Sequence, residues 1–341
     1  MNKIQYAWQR ITNVQTKNMT RVLNREADNN GKSRFAVKMD FLKCALKYKI
    51  GYIDYMKGNY INLNKEERKK MLTASNYFAL MKYLNPNLYR VTQDDKFICN
   101  KVYHKYVKRT YIDLRVTTLE EFKEFLKGKK NVFAKLIDSF GGLGIKIIKV
   151  DEIKDIEALY HELIKKRQHL IEEEIKQHKV LNEINGAAVN NIRIVSLLKD
   201  NKVHIIAKVL RINDGLTDTI SCHDIQGMLD EDGNLLGRMV DDDLNIFETH
   251  PVTGFKFKGL KVPYMKEVLE LVESAAREVP DLRYIGWDIA ITPDGPEIIE
   301  VNPYACYTNY QYYLMHDDGV KMNYLEQIHD ILGDEYNNVK F

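Results

Sequence analysis

The stretch Gly286-Trp287-Asp288-Ile289-Ala290-Ile291-Thr292-Pro293-Asp294-Gly295-Pro296-Glu297-Ile298-Ile299-Glu300-Val301-Asn302-Pro303 carries two apolar runs around a turn. Pro293, Asp294 and Gly295 favour the turn, so 284–292 and 297–301 read as the strands of a hairpin. Alternation puts Asp288 and Ala290 on one face, with Trp287, Ile289 and Ile291 on the other. On the returning strand Ile298 and Glu300 share a face, with Asn302 beyond. The turn then brings Asp288 and Glu300 near each other. Two carboxylates side by side in a sheet repel and are costly to bury, and a bound cation resolves both problems. Magnesium suits such oxygen ligands. A pair of edge carboxylates facing water would look the same in sequence.

Upstream, 191–199 and 202–212 read as two strands joined by Asp200-Asn201. Further upstream, the strand 131–137 runs into Asp138-Ser139-Phe140-Gly141-Gly142-Leu143-Gly144 and out through a strand at 145–150. Glycines free backbone N–H groups to approach an anion. No Gly-Lys-Ser/Thr follows and no helix follows, so the loop is neither a Walker A loop nor a dinucleotide fingerprint. A flexible hairpin covering phosphates fits, and so does a plain glycine turn. Lys135 lies between Ala134 and Leu136 on the entering strand. An ammonium in an apolar strand calls for a partner, and phosphate oxygens would supply one unless the lysine sits at an edge. After a helix at 152–166 comes a strand at 169–174 ending in Glu172-Glu173-Glu174. This is a surface strand end or a hinge where backbone groups meet a base. A short strand is expected at 114–116 and a helix at 263–279.

Residues 1–90 read as helical. Val37, Leu42, Ala45, Leu46 and Ile50 lie near helical spacing, and Asn64 with Glu67 forms a capping box opening a helix over 65–84. Lys43, Lys47, Lys49, Lys57, Lys65, Arg68, Lys69 and Lys70 make this part basic. It reads as a solvated surface, or as a docking face for an acidic partner or an anionic membrane.

The 341 residues carry 51 basic and 48 acidic side chains, a net +3. That balance is too even to signal a nucleic-acid binder. Cys44, Cys99, Cys222 and Cys306 form no CxxC pair, which reads as reduced thiols in a cytoplasmic protein without a zinc site. The start lacks a signal-peptide core, and no apolar run nears the roughly 20 residues of a membrane span.

In this order, these segments resemble the ATP-grasp superfamily, and most closely its sugar-transfer-associated branch, over about residues 91–315. The resemblance implies an α+β fold in which two α+β subdomains clamp ATP, preceded by a helical N-terminal region. The implied division is 1–90 helical, 91–174 the smaller lid subdomain, and 175–341 the larger subdomain with the metal site. It implies that Lys96 contacts the phosphates, with Lys101 a rival, and that Lys135 reaches the α- and β-phosphates. Ser139, Gly141, Gly142 and Gly144 fall in the phosphate-covering loop, and Glu172, Glu173 and Ile175 at the adenine hinge. Val189-Asn190-Asn191-Ile192-Arg193-Ile194 matches a branch motif, with Asn191 in place of threonine, so Asn190 and Arg193 are expected to face the site. His250-Pro-Val-Thr-Gly254 and Val262-Pro263 also look like the branch. Asp288, Glu300 and Asn302 match the ligands of one or two magnesium ions. Ser221 to Gly227 departs from the branch's Asn- and Gly-rich stretch and is expected to face the acceptor. Lys208 and Arg211, on the strand leading there, would stabilise a reacting carboxyl-phosphate or form a structural salt bridge.

The activity this implies is a carboxylate–amine ligase that uses ATP and passes through an acylphosphate. Small-molecule or glycoconjugate acids and amines would be its substrates, in surface-polysaccharide or related conjugate synthesis. A kinase acting on a hydroxyl and a non-catalytic nucleotide-binding regulator are the alternatives.

Overall fold

A computed structural model describes residues 16–86, 95–137, 144–215, 224–305, 307 and 324–340. The chain divides into two compact units. The first is helical: α1 (Thr16–Asn29), α2 (Arg34–Tyr48), α3 (Tyr52–Lys57), α4 (Lys65–Lys70), α5 (Ala74–Leu84) as far as Leu80 and, near the C-terminus, a helix over Tyr324–Leu332. Its core gathers Leu23, Ala27, Val37, Phe41, Cys44, Tyr55 and Tyr60. Arg68 ties the helices together by donating both to Asp40 and to the carbonyl of Tyr60.

The Asn64–Glu67 capping box is present, with Asn64 accepting from the amides of Glu66 and Glu67. The single helix expected over 65–84 is two helices. Met71 is extended (ψ 134°), and Met71 and Leu72 turn inward to buried positions. Thr73 then restarts the helix by accepting from the Asn76 amide at 3.3 Å.

The second unit contains two antiparallel sheets. The smaller has order β1-β4-β2-β3 and is built from β1 (Tyr111–Asp113), β2 (Asn131–Lys135), β3 (Lys146–Lys149) and β4 (Leu170–Glu173). Helices α6 (Lys96–Val102), α7 (Leu119–Leu126) and α8 (Ile156–Lys165) accompany these strands in sequence. Phe122, Leu126 and Leu163 pack with Val132, Ala134 and Ile171 of the strands. The strand expected at 114–116 lies three residues earlier. Asp113 accepts from the Arg115 amide, and its carbonyl takes the amides of Val116 and Thr117, closing a turn where the strand was expected.

The larger sheet has order β11-β10-β5-β6-β7-β8-β9. Helix α9 (Lys179–Ile184) precedes β5 (Asn191–Lys199) and β6 (Lys202–Asn213). Then come β7 (Asp224–Met228), β8 (Met239–Val240) and β9 (Ile246–Phe247), followed by α10 (Met265–Ala275) and the hairpin of β10 (Tyr284–Thr292) and β11 (Gly295–Asn302). Its apolar face carries Ile192, Ile194, Trp287, Ile289 and Ile298, packed with Val268 and Val272 of α10. The buried amide of Asn85 reads the end of the hairpin, donating to the carbonyls of Tyr284 and Pro303 and accepting from the Tyr284 amide. Among the described residues, no helix is long and apolar enough to cross a membrane.

Candidate active site

Strict alternation does not hold along the hairpin. Counted back from the turn, Thr292 pairs with Gly295 and Ile289 with Ile298, but Asp288 pairs with Glu300. Ile299 is therefore an extra residue, a β-bulge. Ile298 stays in the core, while Ile299 and Glu300 both reach the polar face. This corrects the expectation that Ile298 and Glu300 share a face. Without the bulge Glu300 would sit opposite Trp287, in the apolar core.

The neighbouring strand β5 places Arg193 directly across from Asp288. Arg193 Nε and Nη2 each donate to a different oxygen of that carboxylate, the second at 2.6 Å. Gly286 makes the approach feasible, since a Cβ there would lie 3.2 Å from Arg193 Cδ and 2.5 Å from Ala305 Cβ. Arg211 of β6 adds a 3.4 Å contact to Asp288 and pairs with Asp224 of β7. Burial opposes ionisation of Asp288, but the charges of Arg193 and Arg211 outweigh it and hold the carboxyl below its usual range. Glu300 pairs with Lys96 at 3.1 Å.

Among the described residues, no group of three His, Cys, Asp or Glu side chains is arranged to hold a metal ion. The candidate set is instead two carboxylates and an amide. A carboxylate has about four lone-pair sites. Those of Asp288 are met twice by Arg193, once by Arg211 at 3.4 Å and once by Asn302 Nδ2 at 3.4 Å. The two long contacts are the ones a cation would replace, with Asn302 turned to present its amide oxygen. The hard oxygen donors fit magnesium on those terms.

The smaller sheet contributes a second ionic cluster. Glu172, fully buried on β4, accepts from Arg109 Nε and Nη2 at 3.0 and 2.7 Å and from Asn100 at 2.8 Å, and pairs with Lys135 of β2. Burial pushes the Glu172 carboxyl up, but Arg109 and Lys135 dominate and hold it far below the usual range. Arg109 also donates to the carbonyls of Ile298 and Ile299, at 2.7 and 3.1 Å. One guanidinium thus joins the carboxylate on β4 to the backbone of the bulge.

A cavity of about 680 Å3 brings together Lys96, Lys135, Glu172, Glu173, Ile175, Arg193, Arg211, Asp288, Glu300 and Asn302. Lys101, the rival of Lys96, lies over the Phe97 ring and does not line it. Gly144 adopts φ +75°, and its carbonyl accepts from Gln168. Ser139, Gly141 and Gly142 lie outside the described residues, as do Ser221, Cys222 and His223 of the segment expected to face the acceptor.

Two expected residues are not brought to the cavity. Asn190 is buried and donates to the carbonyls of Leu181 and Asn185, while Asn191 lines the cavity. Lys208 is three residues from Arg211, so alternation places it on the opposite face, where it pairs with Glu231 at 2.7 Å. His250 is a brace. Its Nδ1 accepts from the amides of Val252 and Thr253, so its Nε2 carries the proton and donates to the Asn213 carbonyl.

Arg109 and Asn191 line the cavity without having been expected there, whereas Asp224 belongs to the segment 221–227 expected to face the acceptor. Arg109 lies outside every segment singled out in the sequence.

Residues 77–328 match the profile of the family described as sugar-transfer associated ATP-grasp. The chain belongs to that family. The two sheets of the second unit and the cavity just described are thus those of an ATP-grasp protein. No curated protein matches the sequence significantly. Similar solved structures include D-alanyl-alanine synthetase A from Vibrio cholerae O1 biovar eltor, 13% identical over 73% of this chain and 65% of that one, with TM-score 0.43. An L-amino acid ligase from Bacillus licheniformis is 11% identical over 71% and 48%, with TM-score 0.42. The biotin carboxylase domain of the Hydrogenobacter thermophilus 2-oxoglutarate carboxylase is 16% identical over 76% and 51%, with TM-score 0.47. The chain spans less than two thirds of the length of each.

Proposed function

We propose that this ATP-grasp protein is an ADP-forming carboxylate–amine ligase. The observation that carries the reading is one cavity that gathers four cations beside three carboxylates. Lys135 pairs with Glu172, Lys96 with Glu300, and Arg193 and Arg211 with Asp288. A triphosphate fits such a series, and no serine, cysteine or histidine nucleophile lines the cavity among the described residues. Direct transfer between two bound substrates needs none.

In this reading Lys135 and Lys96 orient the phosphates, while Glu172, Glu173 and Ile175 border the base. Asp288, Glu300 and the amide oxygen of Asn302 would hold one or two magnesium ions. Bound magnesium supplies charge neutralisation on the transferring phosphoryl group. Arg193 and Arg211 face the acceptor carboxylate and offset the charge that gathers as its oxygen attacks the γ-phosphorus. The bond from that phosphorus to the β–γ bridging oxygen breaks, and ADP leaves. An amine then attacks the acyl carbon of the acylphosphate, the carbon–oxygen bond to phosphate breaks, and the ammonium proton is lost to give the amide. We place the acceptors among small-molecule or glycoconjugate acids and amines, in surface-polysaccharide or related conjugate synthesis in the cytoplasm.

The test is incubation with ATP, magnesium and panels of acids and amines. ADP, phosphate and amide in equal amounts are expected, and Glu300→Gln should abolish them while ATP still binds. A stable phosphorylated hydroxyl product with no free phosphate would replace this reading with a kinase. ATP binding with no turnover across the panels would replace it with a regulator.

A further inference from the structure

Helix α2 of the first unit is apolar on two opposite faces. Val37, Phe41 and Cys44 point into the core. Phe35, Met39, Leu42 and Leu46 point the other way and are 75, 39, 49 and 86% exposed. Their spacing of four, three and four residues stacks them in one stripe along the helix. Single exposed apolar side chains are ordinary, but four in a row on a face opposite the core mark a surface that something covers.

The surroundings of the stripe are cationic. On a helical wheel Lys38 and Lys43 flank it on either side, and Lys47 and Lys49 follow at the C-terminal end. Among the described residues none of these four pairs with a carboxylate. The one acid of the helix, Asp40, lies away from the stripe and is held by Arg68 and Tyr55. Asp28, just before the helix, is taken by Arg34.

We propose that this face of α2 docks on an anionic membrane surface. Inserted shallowly, the four apolar side chains leave water, while the lysines extend their stems and keep their ammonium groups among acidic headgroups. A second copy of the chain fits the face poorly. Two-fold packing would set Lys38 and Lys43 against the same lysines of the other copy. Four side chains also fall well short of the roughly 20–30 residues per partner of a stable protein interface. The inference is independent of the chemistry proposed for the second unit.

The test is co-sedimentation of the full chain with vesicles of mixed phosphatidylglycerol and phosphatidylcholine, and with vesicles of phosphatidylcholine alone. Binding is expected to the first only, with release at about 0.5 M salt, where charge attraction is screened. Phe35→Glu with Leu46→Glu should lower partitioning at least about tenfold, and Lys38→Glu with Lys43→Glu should also lower it. Both positions of the first pair are exposed, so circular dichroism melts should match the wild type. Absence of binding to anionic vesicles at low salt overturns the proposal. So does equal binding by the Phe35→Glu/Leu46→Glu variant. A dimer by light scattering that Leu46→Glu dissolves assigns the face to a second copy instead.

Discussion

Arg193 meets both carboxylate oxygens of Asp288, the residue directly opposite it across β5 and β10. The pair is nearly dry, so removing one partner leaves an unpaired charge in a low-dielectric setting. Asp288→Asn is expected to cost about 3–5 kcal/mol of unfolding free energy. Urea denaturation measures it. The double variant Arg193→Met/Asp288→Leu should recover more than half of the loss, and a double variant as unstable as the single one would contradict this account.

Arg109 acts on the proposed metal site without touching it, through the Ile298 and Ile299 carbonyls that it holds in the bulge. Lysine cannot serve two carbonyls and Glu172 from one planar group. Arg109→Lys is therefore expected to weaken manganese binding, measured by electron paramagnetic resonance with ATP present, by about 10–100-fold. Unchanged metal affinity in a folded variant would show that the bulge holds itself.

Acid should loosen the second unit through Glu172 and Asp288. Both carboxyls titrate lower in the folded chain than their ordinary values of 4.5 and 3.8. Their contribution is thus complete above the unfolded values and is lost as pH falls through and below them. Unfolding free energy should decline from about pH 5 downward. Chemical denaturation at a series of pH values checks this, and Glu172→Gln should be less stable at neutrality with a shallower acid limb.

Lys208 and Arg211 share β6 but not a face. Under the ligase reading, Arg211→Ala should lower kcat by about 100-fold or more, the range seen on removing one group that stabilises transition-state charge. Lys208→Ala removes an ion pair with the exposed Glu231 and should change kcat less than twofold. Comparable losses in kcat from the two changes would mean that the faces have been assigned wrongly.

The hairpin was legible because its turn residues and apolar alternation are local signals. Tyr284–Thr292 falls where the pattern puts it. Helix 65–84 failed because Met71 and Leu72 answer to a core that the local pattern cannot display. Asn190 and Asn191 could not be told apart by type, since only the register of β5 decides which one meets the cavity. Arg109 was invisible for a related reason. Its partners Glu172 and Glu297 lie 63 and 188 residues away, and no window of sequence holds all three.

The extra residue in β11 also constrains how this chain can change in length. Ile299 offsets the strand by one, so Glu300 and Asn302 face the cavity and Val301 the core. Adding one residue between Pro296 and Ile299 would exchange these roles, pointing a carboxylate and an amide at Trp287 and a valine at the polar floor, unless a second bulge formed. Deleting one residue would instead remove the bulge and leave Glu300 opposite Asp288. Natural variation in this hairpin should therefore come as substitutions, as longer turns beyond Thr292 and Gly295, as loss of the bulge residue or as insertions of two residues, and rarely as a gain of one.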